Sequence, residues 1–389
     1  MKHILDFLQQ HLDEFVELRR DLHAHPELGL KEVRTADLLT DKLMSWGYEV
    51  TRGLAGTGLV AQLKRGTGSR RLGLRADMDA LPILETTGLP YASRTPGHMH
   101  ACGHDGHMAM LLAAARCLAQ QGQFDGTLNL IFQPAEEGPG GAKLMIEDGL
   151  FERFPCDAVY AMHNMPGFPQ GHLVFFDGPA TASCDEVVIT LHGTGGHGTA
   201  PHLAADPIIA CASIVMALQT IVSRNVDPRR MAVVGVGAMS AGTASNVIPD
   251  TASLTVTVRA LDREVRELLQ RRICALVQAQ AESFGVRAEV DYQRGYSVMV
   301  TTPAETALAR QVGLALVGPE RVTLQGEPVA GSEDFAIMLD HCPGSFLLIG
   351  NGAGENACMV HNPGYDFDDR NIEVGAAYWS LLAERFLQA

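Results

Sequence analysis

This chain lacks a basic run, a disulfide framework and an export signal, and each absence removes a class of function. Lys and Arg number 30 against 45 Asp and Glu in 389 residues, for a formal charge of −15. The close basic pairs, Arg19-Arg20, Arg70-Arg71, Arg229-Arg230 and Arg271-Arg272, lie far apart. Neutralising phosphates takes clustered cations, so nucleic acid is excluded as a partner. Met1 to Leu22 alternates apolar and charged residues at helical spacing, without the apolar core of a signal peptide. Nowhere is the long uncharged apolar stretch of a membrane-spanning helix expected either. A cytoplasmic protein with no membrane partner is therefore expected. Eight cysteines (Cys102, Cys117, Cys156, Cys184, Cys211, Cys274, Cys342 and Cys358) show no framework spacing and should be free thiols. Cys117 and Cys211, set in apolar runs, read as small buried hydrophobes.

What is present indicates an ordinary globular chain, with 46% hydrophobic and 19% charged residues and a length that favours two domains. Helical spacing covers Ile4 to Leu22 and Glu32 to Trp46, the second closed by Gly47. Strands at Gly58 to Leu63, Leu72 to Ala76, Leu128 to Phe132 and Ala158 to Met162 alternate with an apolar helix, Met108 to Gln120. From Asp185 to Tyr292 the order becomes βαββαβ, the pattern of a ferredoxin-like unit. The first pattern then returns, with helices Pro303 to Leu316 and Glu333 to Leu339, strand Phe346 to Ile349 and helix Arg370 to Phe386. The expected fold is α/β: a large domain with a central sheet, residues 1–182 and 293–389, interrupted by an inserted ferredoxin-like α+β domain, residues 183–292.

Chemistry concentrates in five places. HMHACGHDGH (98–107) packs four His, one Cys and one Asp into what its glycines mark as a loop. Residues two apart on an extended backbone point the same way, so Cys102 and His104 could hold one borderline-soft cation. The same pair could equally form a thiol-hydrolase dyad. QPAEEG (133–138) follows a strand and sends Glu136 and Glu137 in opposite directions, one free to bind a cation and the other to act as a base. His163 ends a strand and His361 lies in a late loop, MVHNPG. Asp77 and Asp79 follow the strand Leu72 to Ala76, where one could orient a ligand histidine.

Taken together, these motifs resemble the metal-dependent amidohydrolases typified by hippurate hydrolase, indole-3-acetyl-amino acid hydrolase and N-acetyldiaminopimelate deacetylase, in the aminoacylase and carboxypeptidase superfamily. LRRDLHAHPELG (18–29), RADMDALP (75–82), MHACGHDGH (99–107), FQPAEEGPGGA (132–142), AMHNMPG (161–167), GGHGTAPH (195–202), TASNVIP (243–249), GSEDF (331–335) and HNPGYDFDD (361–369) carry the resemblance over nearly the full length. It implies two divalent cations per subunit (Zn, Mn, Co or Ni) on Cys102, His104, Glu137, His163 and His361, with Glu136 as the base that activates water. Asp79 joins Glu136 and His197 as an expected catalytic residue, His197 acting on the scissile carbonyl or its oxyanion from an inserted lid that dimerises. Asn246 and Arg259 would grip the substrate carboxylate, while His23, His25 and Glu27 are expected to be structural. The implied reaction is hydrolysis of an N-acyl amino acid by a homodimer or homotetramer. A short-peptide dipeptidase or carboxypeptidase, the Cys102 thiol hydrolase and a non-catalytic metal-binding protein are the alternatives.

Overall fold

The structure, a computed structural model, describes residues 1–354 and 357–388. Ala389, the end of the expected catalytic segment, lies outside the described residues.

Apolar residues at helical spacing build α1 (Lys2–Ala24), whose one face buries Ile4, Leu8, Phe15 and Leu22. Then come α2 (Val33–Ser45), the hairpin β1 (Glu49–Leu54) and β2 (Gly58–Arg65), β3 (Arg71–Asp77), α3 (His104–Gln121) and β4 (Gly126–Gln133). Short helices α4 (Gly141–Glu147) and α5 (Leu150–Arg153) precede β5 (Ala158–Met165) and β6 (Leu173–Phe175). The chain continues through β7 (Pro179–Thr181), β8 (Ser183–His192), β9 (Gly196–His197), α6 (Pro207–Asn225), β10 (Ala232–Ala241) and β11 (Val247–Ile248). After β12 (Thr251–Ala260), α7 (Arg263–Ser283) and β13 (Arg287–Arg294) come β14 (Met299–Val300), α8 (Pro303–Val317) and β15 (Val322–Thr323). The last elements are α9 (Phe335–His341), β16 (Gly344–Gly350) and α10 (Asn371–Phe386).

Two compact units result: Met1–Gly178 with Val300–Glu327 and Asp334–Ala389, and Pro179–Met299 with Pro328–Glu333. The first is built on an eight-stranded sheet ordered β1-β2-β4-β3-β5-β16-β6-β15, the large mixed α/β sheet expected. Its centre is parallel, β3 pairing with β4 and β5, and β5 with β16. Parallel strands share one carboxyl edge, where open α/β sheets collect ligands, and β3, β4 and β5 end there. Helix α3, buried almost all round, packs beside β3, α1 and α10. The second unit has a four-stranded antiparallel sheet ordered β10-β12-β8-β13 against which α6 and α7 pack, in the order βαββαβ.

Four local expectations need correction. The cluster at 98–107 is only partly a loop: Gly103, at φ 88°, caps α3, and His104 to His107 form its first turn. The apolar run after Met108 extends the helix back to this glycine, and Asp105 suits the positive end of its dipole. His163 does not terminate its strand, because pairing with β16 continues to Met165↔Gly350. The helix expected from Glu333 starts at Phe335, leaving Asp334 at its N-cap. Finally, α6 is long and apolar enough to cross a membrane by length and composition, at a mean hydropathy of 1.6, a stretch the sequence reading passed over. Its residues Ala210, Ile214, Leu218 and Ile221 are buried at helical spacing in the core of the second unit, so it is a layer of that unit.

Candidate metal centre

The expected ligands come from four elements of the first unit and meet at the carboxyl edge of its sheet. Gly103 needs its left-handed φ of 88° to start α3 directly after Cys102, so Cys102 and His104 flank the turn. After β4, Ala135 takes φ 51°, and Glu136 and Glu137 follow. His163 comes from β5, and His361 from a loop in which it too is left-handed, at φ 66°.

Their side chains converge. Cys102 Sγ stands 3.3 Å from His163 Nε2, and Glu137 Oε1 accepts from His361 Nε2 at 2.8 Å. Donor atoms of Cys102, His104 and His163 lie within 4.8 Å of one another, as do those of Cys102, Glu137 and His361, and those of His104, Glu136 and Glu137. Two of these overlapping sets share Cys102.

Hydrogen bonding decides which histidines are available. His104 Nδ1 donates to the Asp79 carbonyl at 2.8 Å, leaving its buried Nε2 without a hydrogen-bond partner. His163 Nδ1 is used at 2.6 Å by the Asn164 carbonyl, so its Nε2 lone pair faces Cys102. His107 is occupied at both nitrogens, Nδ1 by Asp77 at 2.6 Å and Nε2 by the Asn164 N–H at 2.9 Å. His107 therefore belongs to the support, not to the ligand set.

Electrostatics fit a cation. Burial pushes the Cys102 thiol well up, despite His104 nearby, so a thiolate here needs a positive neighbour. Burial and the charge of His107 hold His163 down at about 3, keeping its imidazole neutral, the form a cation would bind. Against burial, Asp77 and Cys102 raise His104. Against burial, the His361 hydrogen bond and the charge of His104 lower Glu137, while His361 is raised by that same bond. One orphaned imidazole nitrogen, a thiol, two imidazoles and a carboxylate make a donor set that a divalent cation satisfies.

Below it lies a network that sequence reasoning missed. Arg75, fully buried, spans Asp77 at 2.7 Å, Gln133 at 2.8 Å and Asp334 at 3.0 Å. Gln133 Nε2 also donates to both Asp334 oxygens, and the Asp334 N–H points at Glu136 Oε1 at 3.4 Å. Asp77 is held well below the usual carboxylate range, against burial, by His104, His107 and Arg75. An arginine inside an apolar strand was the available signal. Asp79 does more than expected, its Oδ2 accepting from the Glu137 N–H at 2.9 Å.

Of the residues expected to be structural, His23 is buried on Asp105 at 2.8 Å, and Glu27 accepts from the first N–H groups of α2 at Arg34 and Thr35. His25 bonds the Asp21 carbonyl.

The second unit brings His197 and Asn246 together: β9 pairs with β11, and the Gly198 N–H donates to the Asn246 carbonyl at 2.8 Å. His197 is exposed, its Nδ1 engaged by Thr199, which leaves Nε2 outward. Arg259 stands apart on β12, bonded to Ser332 at 3.1 Å.

Residues 73–385 match the model for peptidase family M20/M25/M40. The chain is 43% identical over 375 residues to hippurate hydrolase of Campylobacter jejuni, covering 96% of this chain and 97% of that one. It is 37% identical to N-acetyl-L-cysteine deacetylase of Bacillus subtilis, over 97% of this chain and 89% of the relative. Its fold is similar to that of a dinuclear metal binding peptidase of the M20 family from Bacillus subtilis, with a TM-score of 0.85 and 32% identity over 97% and 99% of the two chains.

Proposed function

From the premise that the chain belongs to peptidase family M20/M25/M40, we propose that it hydrolyses the amide bond of N-acyl amino acids, releasing a carboxylic acid and a free amino acid. The observation that carries this reading is the pair Glu136 and Glu137, set beside Cys102, His104, His163 and His361. A hydrolase with two adjacent carboxylates, one assigned to a cation and one to proton transfer, has a place for each. Hippurate hydrolase and the N-acetyl-L-cysteine deacetylase among its relatives point to acylated amino acids as the substrate class, and an aromatic or acetyl acyl group is favoured over a short peptide.

Cys102, His104, Glu137, His163 and His361 would hold two cations (Zn, Mn, Co or Ni), with Cys102 shared between the overlapping donor sets. When bound, the cations supply Lewis acidity and make water acidic enough to lose a proton near neutral pH. Glu136 takes that proton and delivers it to the leaving amine, the shuttle a carboxylate base performs. Asp79 sets the tautomer of His104 through its carbonyl and anchors Glu137 through its carboxylate. His197 is assigned the oxyanion, and Asn246 and Arg259 the substrate carboxylate. The cation ligands and the base thus fall to the first unit. The second, expected at residues 183–292, serves as lid and dimerisation domain: its edge strand β10 is largely exposed, and α6 shows Ile209 and Met216 to solvent. The chain acts in the cytoplasm, where its eight free cysteines persist.

A thiol nucleophile at Cys102 is disfavoured, because an attacking cysteine is activated by a lowered pKa and burial raises this one. The test is turnover of benzoylglycine and N-acetyl amino acids with each of the four metals. Glu136→Gln should lose about 100-fold or more in kcat, and exhaustive EDTA treatment should abolish activity until metal returns. Activity that survives EDTA but dies with iodoacetamide would overturn the reading.

A further inference from the structure

The turn that carries Glu136 and Glu137 is anchored by a carboxylate to which the chemistry above gives no part. Glu32, directly before α2, is fully buried. Its oxygens accept from the Ala135 N–H at 2.9 Å and the Thr57 hydroxyl at 2.6 Å. Burial drives its pKa up, and what opposes burial is hydrogen-bond donors, not a cation. A buried carboxylate without a cation is an expensive way to stabilise a fold. Its value lies in direction.

Direction is what the turn requires. Ala135 sits at φ 51°, a region that residues with a Cβ rarely adopt, and its conformation sets how the next two residues leave β4. Gly29, from the same loop as Glu32, passes tightly under it: a Cβ on Gly29 would stand 3.0 Å from the Ala135 Cβ and 3.1 Å from its Cα. Further along, the Glu137 N–H is held by Asp79 and the Ala142 N–H by Asp334, each at 2.9 Å. The two functional glutamates therefore stand between backbone anchors supplied by carboxylates from remote segments, and Glu32 is the first of these.

We infer that Glu32 is a positioning residue for the hydrolysis: by holding the Ala135 N–H it fixes the direction of Glu136 and Glu137 without touching substrate or cation. The inference rests on the assignment of Glu136 as base and Glu137 as ligand. Misplacing a reacting group by about 1 Å costs on the order of 100-fold, so losing the anchor lowers kcat and leaves KM nearly alone. Glutamine at position 32 keeps both bonds, accepting from Ala135 with its carbonyl and donating to Thr57 with its amide.

The test compares Glu32→Ala, Glu32→Gln, Gly29→Ala and Glu136→Gln in the full-length enzyme on an N-acetyl amino acid, with kcat and KM measured separately. Melting temperature and Mn²⁺ retention against a chelator are read alongside. Glu32→Ala is expected to lose about 10- to 100-fold in kcat with KM within about threefold, and to release Mn²⁺ more readily. Glu32→Gln should stay within about threefold of wild type, and Gly29→Ala, which pushes on Ala135 from below, should lose several-fold in kcat while remaining folded. Wild-type kcat in Glu32→Ala overturns the inference, as does a Glu32→Gln variant as impaired as the alanine. If Glu32→Ala fails to fold, a fully active Gly29→Ala overturns it and an impaired, folded Gly29→Ala supports it. An inactive Glu136→Gln beside a fully active Glu32→Ala sinks this inference alone, whereas a fully active Glu136→Gln sinks the assignment beneath it.

Discussion

His23 is assigned no direct part in the proposed chemistry, yet it makes the clearest solution prediction. Asp105 and Glu85 raise its pKa from 6.5 to about 9, against burial and the charge of Arg19. A raised pKa means the native state holds its proton more tightly, so the stabilisation is complete below pH 6.5 and is lost as pH climbs through about 9. The full effect is on the order of 3 kcal/mol. Urea unfolding at pH 6, 7.5 and 9 should show wild-type stability falling across this window and His23→Gln with a flatter profile over it. The same environment fixes Asp105, in the first turn of α3, next to His104, a proposed ligand. A buried histidine can thus serve the proposed metal centre at one remove, by holding the helix end that presents His104.

At the scale of elements, the site depends on α3 starting where it does. Gly103 is left-handed, and a Cβ there would collide with the Asn164 amide and the Tyr365 hydroxyl. Gly103→Ala should cost about 1–3 kcal/mol from backbone strain alone, measurable by denaturant titration, and should reduce metal retention because Cys102 and His104 flank the displaced residue. Elements with one strong pattern were legible in the chain: α1 by its apolar stripe, the strand AVYAM by its continuous apolar run and LNLIF by one broken only at Asn129. Strand β1 was not, since only Leu54 of its six residues is buried. Its partner β2 and the hairpin, not its own side chains, make it a strand.

For the whole molecule, the proposed dimer predicts that Met216→Glu, placed on the exposed face of α6, converts a dimer to a monomer in sedimentation. A monomeric wild type would remove the proposal. Which residues meet at the site was legible only as motifs in order, because contact between them is a property of the closed fold. Asp334 illustrates the limit. It stood in a recognised motif without a role, since its partners Arg75, Gln133 and Ala142 lie 259, 201 and 192 residues away in the chain.

That separation also orders events in time. The Glu137–His361 contact spans 224 residues, and the whole second unit, Pro328–Glu333 included, is made between them. During synthesis, Cys102, His104, Glu137 and His163 leave the ribosome long before His361, so a nascent chain exposes an incomplete, thiol-containing set of donors. On the ligand assignment proposed above, the metal centre closes only when translation is nearly finished, and any chain released short of His361 is left unable to close it.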